Sequence, residues 1–250
     1  MSYQRLFVVS DIHGHYTQLK EALDAAGFDE KNGAHLLICC GDLFDRGREN
    51  RRVYDYVRGL EHKVLVRGNH DQRLREILTQ KRADVYDLYN GAEVTLEEFF
   101  GPGCVNEYGD LRLPKHGKMA GKLCRLIDGM ADYFETKHYV FVHGWIPTLP
   151  GKKEALADWR NADAVAWRSS RHLEWMSLYG SPAMLPDKTI VCGHRPTRLG
   201  CQVDPKRSPT DTGIFYGQGM IAIDAGTIRS GHVNVLVLEE EVKSIPEVKI

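Results

Sequence analysis

Five short apolar runs in this chain each stop at a glycine that stands within a few residues of a possible metal ligand. Residues 5–10 lead into Asp11, His13 and Gly14. Residues 35–40 lead into Gly41 and Asp42, and residues 63–67 lead into Gly68, Asn69 and His70. The run that starts at Tyr139 ends at His143-Gly144, and residues 189–192 end at Gly193-His194. Apolar runs of this length, bounded by glycine, read as buried strands. In an open α/β sheet, ligands collect beyond the carboxyl ends of the strands, and all five sets fall there. Glycine lets the backbone turn sharply, so that a neighbouring side chain projects at the sheet edge. A single Gly-Asp or Asp-x-His means little, because turns use such residues everywhere. Five in one register are different, since buried charge without partners is too costly to accumulate by accident. Carboxylates, imidazoles and a carboxamide together suit a divalent ion such as Mn²⁺, Fe²⁺ or Zn²⁺. The chain must fold so that these ends meet around a cation.

Between the runs, residues 15–26, 50–60 and 72–78 carry apolar residues at helical spacing. Strand and helix therefore alternate over the first third, which predicts a mostly parallel sheet with right-handed crossovers. Residues 119–133 and 152–179 also read as helical. Residues 84–118 break the rhythm with Gly91, Gly101, Pro102, Gly103, Gly109, Pro114 and Gly117 around one helical piece near 94–100. Such a stretch reads as a lid-like insertion, with His116 inside it. The tail segments 214–216, 220–224 and 232–238 read as short antiparallel strands. With no repeat and no low-complexity tract, residues 1–250 are expected to form a single domain.

Composition narrows the function. A formal net charge of −1 over 250 residues argues against a dedicated nucleic-acid or anionic-membrane binder. No apolar run approaches the ~18 residues needed to cross a bilayer, and the N-terminus does not resemble a signal peptide. Cys39, Cys40, Cys104, Cys124, Cys192 and Cys201 form no C-x-x-C pair, and Cys39, Cys40 and Cys192 end apolar runs, where reduced buried thiols are ordinary. A cytoplasmic protein is expected. Residues 46–82 hold eleven Lys or Arg against five Asp or Glu, a local excess suited to attracting phosphate.

Taken together, Asp11-Ile12-His13-Gly14, Gly41-Asp42-Leu43-Phe44-Asp45-Arg46-Gly47, Gly68-Asn69-His70-Asp71, His143-Gly144 and Gly193-His194-Arg195-Pro196 resemble the motif series of the calcineurin-like metallophosphoesterases. Asp45-Arg46-Gly47 is similar to the phosphoprotein phosphatase branch, including its bacterial and phage serine/threonine phosphatases. Asn90-Gly91-Ala92 with Thr95-Leu96 resembles a stretch of the bacterial members. The resemblance implies an α/β fold, a four-layer α-β-β-α sandwich of two mixed sheets flanked by helices. It also implies two divalent ions, Mn²⁺ first and Fe or Zn next. Asp11 and His13 look like ligands of one ion, and Asn69, His143 and His194 like ligands of the other. Asp42 resembles the bridging carboxylate. Two such ions, about 3.5–4 Å apart, need an anionic bridge and lower the pKa of a shared water, so that hydroxide can attack phosphorus in line.

By the same resemblance, His70 oriented by Asp45 protonates the leaving oxygen, and Arg46 clamps phosphate, which suits a planar bidentate donor. A second clamp arginine is expected shortly after a tryptophan. Trp167 is followed by Arg168, Ser169, Ser170 and Arg171, and Arg168 is preferred. Trp145 follows His143-Gly144, where the family has a small residue, and reads either as core or as an aromatic wall for the leaving group. Asp71 stands where the protein phosphatase branch has Glu. Asp224 reads as structural support near the site, and His15, His35, His62, His138, His172 and His232 as surface or structural histidines. The leading function is a phosphomonoesterase acting on phosphoserine or phosphothreonine in proteins, and on small phosphoesters. The alternative is a symmetrical dinucleoside tetraphosphate hydrolase, followed by a 2′,3′-cyclic phosphodiesterase. A catalytically dead scaffold is disfavoured by the complete ligand set.

Overall fold

The computed structural model describes residues 2–114 and 118–245, so His116 lies outside the described residues. Its layers follow from how each strand divides its side chains between two faces. In β1 (Tyr3–Val9), Phe7 and Val9 turn to one side, and Leu6 and Val8 to the other. The same division holds in β2 (His35–Cys39), with Leu37 and Cys39 on the first side and Leu36 and Ile38 on the second. These strands pair in parallel, and β3 (Lys63–Leu65) extends the sheet in parallel beyond β2.

A second sheet is built from β4 (Phe134–Glu135), β5 (Tyr139–Phe141), β6 (Thr189–Cys192), β7 (Phe215–Gly217) and β8 (Met220–Ala222), in the order β4-β5-β6-β8-β7. Strands β5, β6 and β8 are parallel, while β4 and β7 run antiparallel at the edges. The chain then returns as β9 (Leu236–Val242), antiparallel to β1, and completes a first sheet ordered β3-β2-β1-β9. Both sheets are mixed. The tail therefore contains one hairpin, β7–β8, whereas its last strand joins the other sheet instead of a third hairpin arm.

Three apolar layers hold the sheets. Leu6, Val8, Leu36 and Ile38 meet Phe141, Val191 and Ile221 between them. Outside the first sheet lie α1 (Tyr16–Ala25), α2 (Asn50–Gly59), α3 (Asn69–Gln80), α4 (Val85–Tyr89), α5 (Ala92–Phe100) and α6 (Met119–Asp128). All but α4 send buried apolar side chains into a cluster with Phe7, Val9, Leu37 and Cys39, for example Leu19, Val53, Leu74, Leu96 and Leu123. Outside the second sheet, Val140, Ile190 and Ala222 face Trp145, Trp159, Trp167 and Trp175. The result is two mixed sheets flanked by helices. No helix among the described residues is long and apolar enough to cross a membrane.

Two expectations change. Residues 152–179 form no long helix: a 3₁₀ turn (Trp159–Asn161), α7 (Ala164–Ser170) and a four-residue helix (Trp175–Leu178) share that stretch. Asp163 starts α7 afresh by accepting from the Ala166 N–H, an N-cap that ends any run from the preceding turn. The tryptophans that mimic helical spacing converge on one core from separate pieces. The stretch at 84–118, in turn, is built partly into the core, since Ala92, Leu96, Phe99, Cys104 and Leu111 are buried in the first cluster. Helix α4 turns Val85, Tyr86 and Tyr89 to solvent, as Tyr108 is further on, while its Leu88 packs against the core.

Leu96 is fully buried, so Leu96→Ala should cost about 2–5 kcal/mol, as a large-to-small change in a packed core does. Urea unfolding should show the loss as a lowered midpoint. A midpoint equal to that of the parent protein would mean that α5 belongs to a detachable flap rather than to the core.

Candidate metal centre

The carboxyl ends of β1, β2, β3, β5 and β6 meet at one point, tied by hydrogen bonds within each sheet and between the sheets, the latter including one from His194 to Asp11. The Asp11 N–H donates to Gly41 O at 3.1 Å, and the Gly193 N–H to His143 O at 2.8 Å. The Asp11 carboxylate accepts from the His194 N–H at 2.9 Å. Asp42 lies at the centre and is 2% exposed. Its Oδ2 is 3.7 Å from His13 Nε2 and 3.4 Å from His143 Nε2, while its Oδ1 accepts from the His70 N–H. Asn69 Oδ1 is 2.8 Å from His143 Nε2, and Asp11 Oδ1 is 3.9 Å from His13 Nε2. Two groups of donor atoms, each within 4.8 Å of one another, share Asp42: one with His13 and His70, the other with His143 and His194. The six expected ligands, Asp11, His13, Asp42, Asn69, His143 and His194, are therefore gathered in one place.

The imidazoles are aimed by the backbone. His13 donates from Nδ1 to Phe44 O, and His143 from Nδ1 to Cys40 O, each at 2.8 Å. Both Nε2 atoms consequently face the centre, the usual device for orienting a metal-binding histidine. Six of the seven non-glycine residues with positive φ among the described residues belong to this site: Asp11, His13, Asp42, Asp45, Arg46 and His194. A left-handed conformation of such residues persists only where surrounding structure enforces it. Glycine completes the fit, because a Cβ on Gly68 would lie 2.1 Å from Asp42 Oδ1.

Asp71, which the sequence offered only as a departure from a family pattern, is fully buried. Its carboxylate accepts from the N–H groups of Asp42, Leu43 and Gly68. It thus pins both turns that carry Asp42 and Asn69. A buried acid at the third position of α3 was the available signal.

The electrostatics ask for a cation. Burial drives the Asp11 and Asp224 carboxyls upward, and the Asp42 and Asp11 charges add to that for Asp11 and Asp224 respectively. Burial alone would lower His143, yet Asp42 beside it lifts the imidazole to about 10. Burial and the neighbouring His143 push His194 down to about 3. A divalent ion among these carboxylates would relieve the same imbalance, and the mix of carboxylate, imidazole and carboxamide fits such an ion.

The remaining expected residues flank the centre. His70 Nδ1 lies 2.7 Å from Asp45 Oδ2, and Asp45 Oδ1 accepts from Thr95 Oγ1 of α5 at 2.7 Å. Burial opposes protonation of His70, but Asp42 and Asp45 raise it above its ordinary value. The Arg46 guanidinium spans His13 Nε2 and His70 Nε2, at 3.2 Å from each. Arg168 is half exposed and pairs with Glu76 at 2.9 Å, whereas the Arg171 side chain is buried against Asp132. Of the two, only Arg168 has a solvent-facing guanidinium. His172, read from the sequence as a surface or structural histidine, sits with its ring 6.1 Å from that of His194. Asp224 supports the base of the site by accepting from Gly226, and Thr227 donates to Asp11 O. Trp145 is 1% exposed and donates from Nε1 to Ala183 O, so it is a core residue and not an aromatic wall.

A family model, calcineurin-like phosphoesterase, matches residues 4–224. Among curated proteins, the symmetrical bis(5'-nucleosyl)-tetraphosphatase of Aromatoleum aromaticum is 23% identical over 87% of this chain and 92% of its own length. The asymmetrical bis(5'-nucleosyl)-tetraphosphatase PrpE of Bacillus subtilis is 32% identical over 36% of this chain, a match that spans 40% of that relative. The cold-active protein-tyrosine phosphatase of a psychrophilic Shewanella shares the fold, with a TM-score of 0.53 at 17% identity, over 95% of this chain and 76% of that one.

The contact between Gly68 and Asp42 can be tested directly. Gly68→Ala should displace the Asp42 carboxylate and cut bound Mn²⁺, measured by elemental analysis, to well under half of the parent's. Gly59→Ala, with open space at the same atom, should bind as the parent does. Equal metal content in the two variants would show that Asp42 is not held by this contact.

Proposed function

The chain belongs to the calcineurin-like phosphoesterase family and is a metal-dependent phosphoric ester hydrolase; from that premise we propose that it hydrolyses dinucleoside tetraphosphates. The observation that carries this reading is the relative of that activity aligned over 92% of its length. The protein phosphatase reading, first in rank from the Asp45-Arg46-Gly47 motif, falls to second, because the likeness to phosphatase structures is one of fold.

In this reading, Asp11 and His13 would hold one ion and Asn69, His143 and His194 the other, with Asp42 available to both. Mn²⁺ is the proposed ion at each position. Divalent ions bound there supply an activated water near neutral pH and offset phosphate charge. Arg46 Nη2 lies 3.2 Å from His70 Nε2, so one oxygen of the reacting phosphate would be within reach of both groups. Arg46 clamps that phosphate as a planar donor, and Arg168, held by Glu76, is the second clamp in this reading. His70, held at Nδ1 by Asp45, delivers a proton from Nε2 to the leaving oxygen. Thr95 keeps the Asp45 carboxylate turned toward the imidazole.

A panel of diadenosine tetraphosphate, a phosphoserine peptide, p-nitrophenyl phosphate and 2′,3′-cyclic AMP, assayed with Mn²⁺, separates the candidates. Diadenosine tetraphosphate should give the highest kcat/KM. A higher value for the phosphopeptide would restore the protein phosphatase reading and overturn this one.

The acid role of His70 has its own signature. General acid catalysis is worth about 10²–10⁴-fold, and most where the leaving oxygen is basic. His70→Asn should therefore depress hydrolysis of a phosphoserine peptide far more than that of p-nitrophenyl phosphate, with metal content unchanged. Asp45→Asn should show the same pattern more mildly. Equal losses on both substrates, or loss of an ion in the His70 variant, would remove His70 from that role.

A further inference from the structure

Helix α4 is the most anomalous surface of the molecule. It is five residues long, yet it is clamped as firmly as a core element. The Asp87 N–H donates to Asp84 Oδ1, and the Asp84 N–H to Asp87 Oδ2, each at 2.8 Å. Arg73 of α3 grips Asp87 with Nε and Nη2, both at 2.8 Å, and reaches Asp84 at 3.0 Å. Bidentate charge-assisted pairing of this kind fixes orientation as well as distance. What it fixes is exposed: Val85 is 84% accessible, Tyr86 63% and Tyr89 88%. Core packing has no use for a rigid display of bare aromatic rings, and stable soluble folds keep such groups scattered.

Location supplies the use. Asp45, Asn69 and His70 line a small crevice together with Arg73 of α3, Tyr86 and Asp87 of α4, and Asn90 and Ala92. The acid pair thus opens directly onto α4. Behind α4, Gly91 (φ +90°) lies so close to Arg46 that a Cβ there would be 2.6 Å from the Arg46 backbone N. The α4–α5 junction is therefore fixed relative to the phosphate clamp.

We infer that Tyr86 and Tyr89 form a stacking platform for the nucleoside of the leaving nucleotide. This inference rests on the proposed dinucleoside tetraphosphate reading and names the part of the site that recognises the nucleoside. A group departing from phosphorus on the His70 side would leave next to the crevice that Tyr86 helps to line. A planar base is the chemistry that an exposed tyrosine ring accepts, and stacking tolerates any base because each has a π face. The Asp84 and Asp87 charges, which would repel a nucleotide, are taken up by Arg73.

The test compares two substrates with the same anhydride, one bearing nucleosides and one bare: diadenosine tetraphosphate and inorganic tetraphosphate. The ratio of their kcat/KM values is measured for the parent, Tyr86→Ala and Tyr86→Phe. Tyr86→Ala should lower the ratio about tenfold, in keeping with the loss of one stacked base, and chiefly through KM. Tyr86→Phe, which keeps the ring, should retain the ratio. Because Tyr86 is largely exposed, truncating it leaves the core intact, and circular dichroism checks this. A parent that favours diadenosine tetraphosphate while Tyr86→Ala keeps the ratio overturns the inference alone. A parent that does not discriminate overturns the substrate reading, and the inference with it.

Discussion

A carboxylate buried at the junction of two sheets, as Asp42 is, has to be compensated by groups that arrive from several strands at once. Isolated ionised groups in such a setting carry a large desolvation penalty. Here the compensation comes from His13 after β1, the His70 N–H at the start of α3, and His143 after β5. Asp71 holds the Asp42 backbone while this happens. The strained φ angles at Asp11, His13, Asp42 and His194 are the geometric consequence. Each turn is bent so that its side chain points to a common centre instead of along its own strand. The layers on either side supply the rigidity that holds those turns in unfavourable conformations.

Most of this was legible because it is local. A buried strand, a glycine and a ligand-type residue lie within a few positions of one another, so each corner of the site announces itself separately. The period-two division of β1 and β2 likewise follows from short stretches of sequence. What failed was non-local. Trp159, Trp167 and Trp175 have the spacing of one helix, but Asp163 interrupts it with a cap, and only tertiary packing brings the rings together. Segment 232–238 was readable as a strand, but not as the edge partner of β1. Trp145 had two readings until Ala183 O was found to satisfy its indole N–H. Asp71 could not be assigned a role from its neighbours in sequence, because two of the N–H groups it binds belong to the turn after β2.

The two arginines after Trp167 illustrate the same limit. Arg168 and Arg171 are three positions apart on one helical stretch, and composition cannot rank them. Packing does. Arg171 is drawn inward against Asp132, where its guanidinium is sealed from substrate. Arg168 stays half exposed and is steadied by Glu76, an acid of the helix that begins with Asn69 and His70. An ion pair at such a surface contributes little stability, so its value lies in limiting where the guanidinium can go.

Glu76 also binds Arg73, and Arg73 binds Asp84 and Asp87. Helix α3 therefore carries Asn69 and His70 at its first turn, and on its flank a charged ladder that runs to Arg168 in one direction and to α4 in the other. Helix α5 closes the loop from behind, with Thr95 on Asp45 and Leu96 in the core. The residues from 84 onward consequently divide by physics. On α5, Thr95 and Leu96 cannot vary without disturbing Asp45 or the core, whereas Val85 and Tyr89 of α4 stand in solvent. On the proposed reading, change at Tyr86 would alter which leaving group is held, while Arg73 keeps α4 fixed to α3 through Asp84 and Asp87.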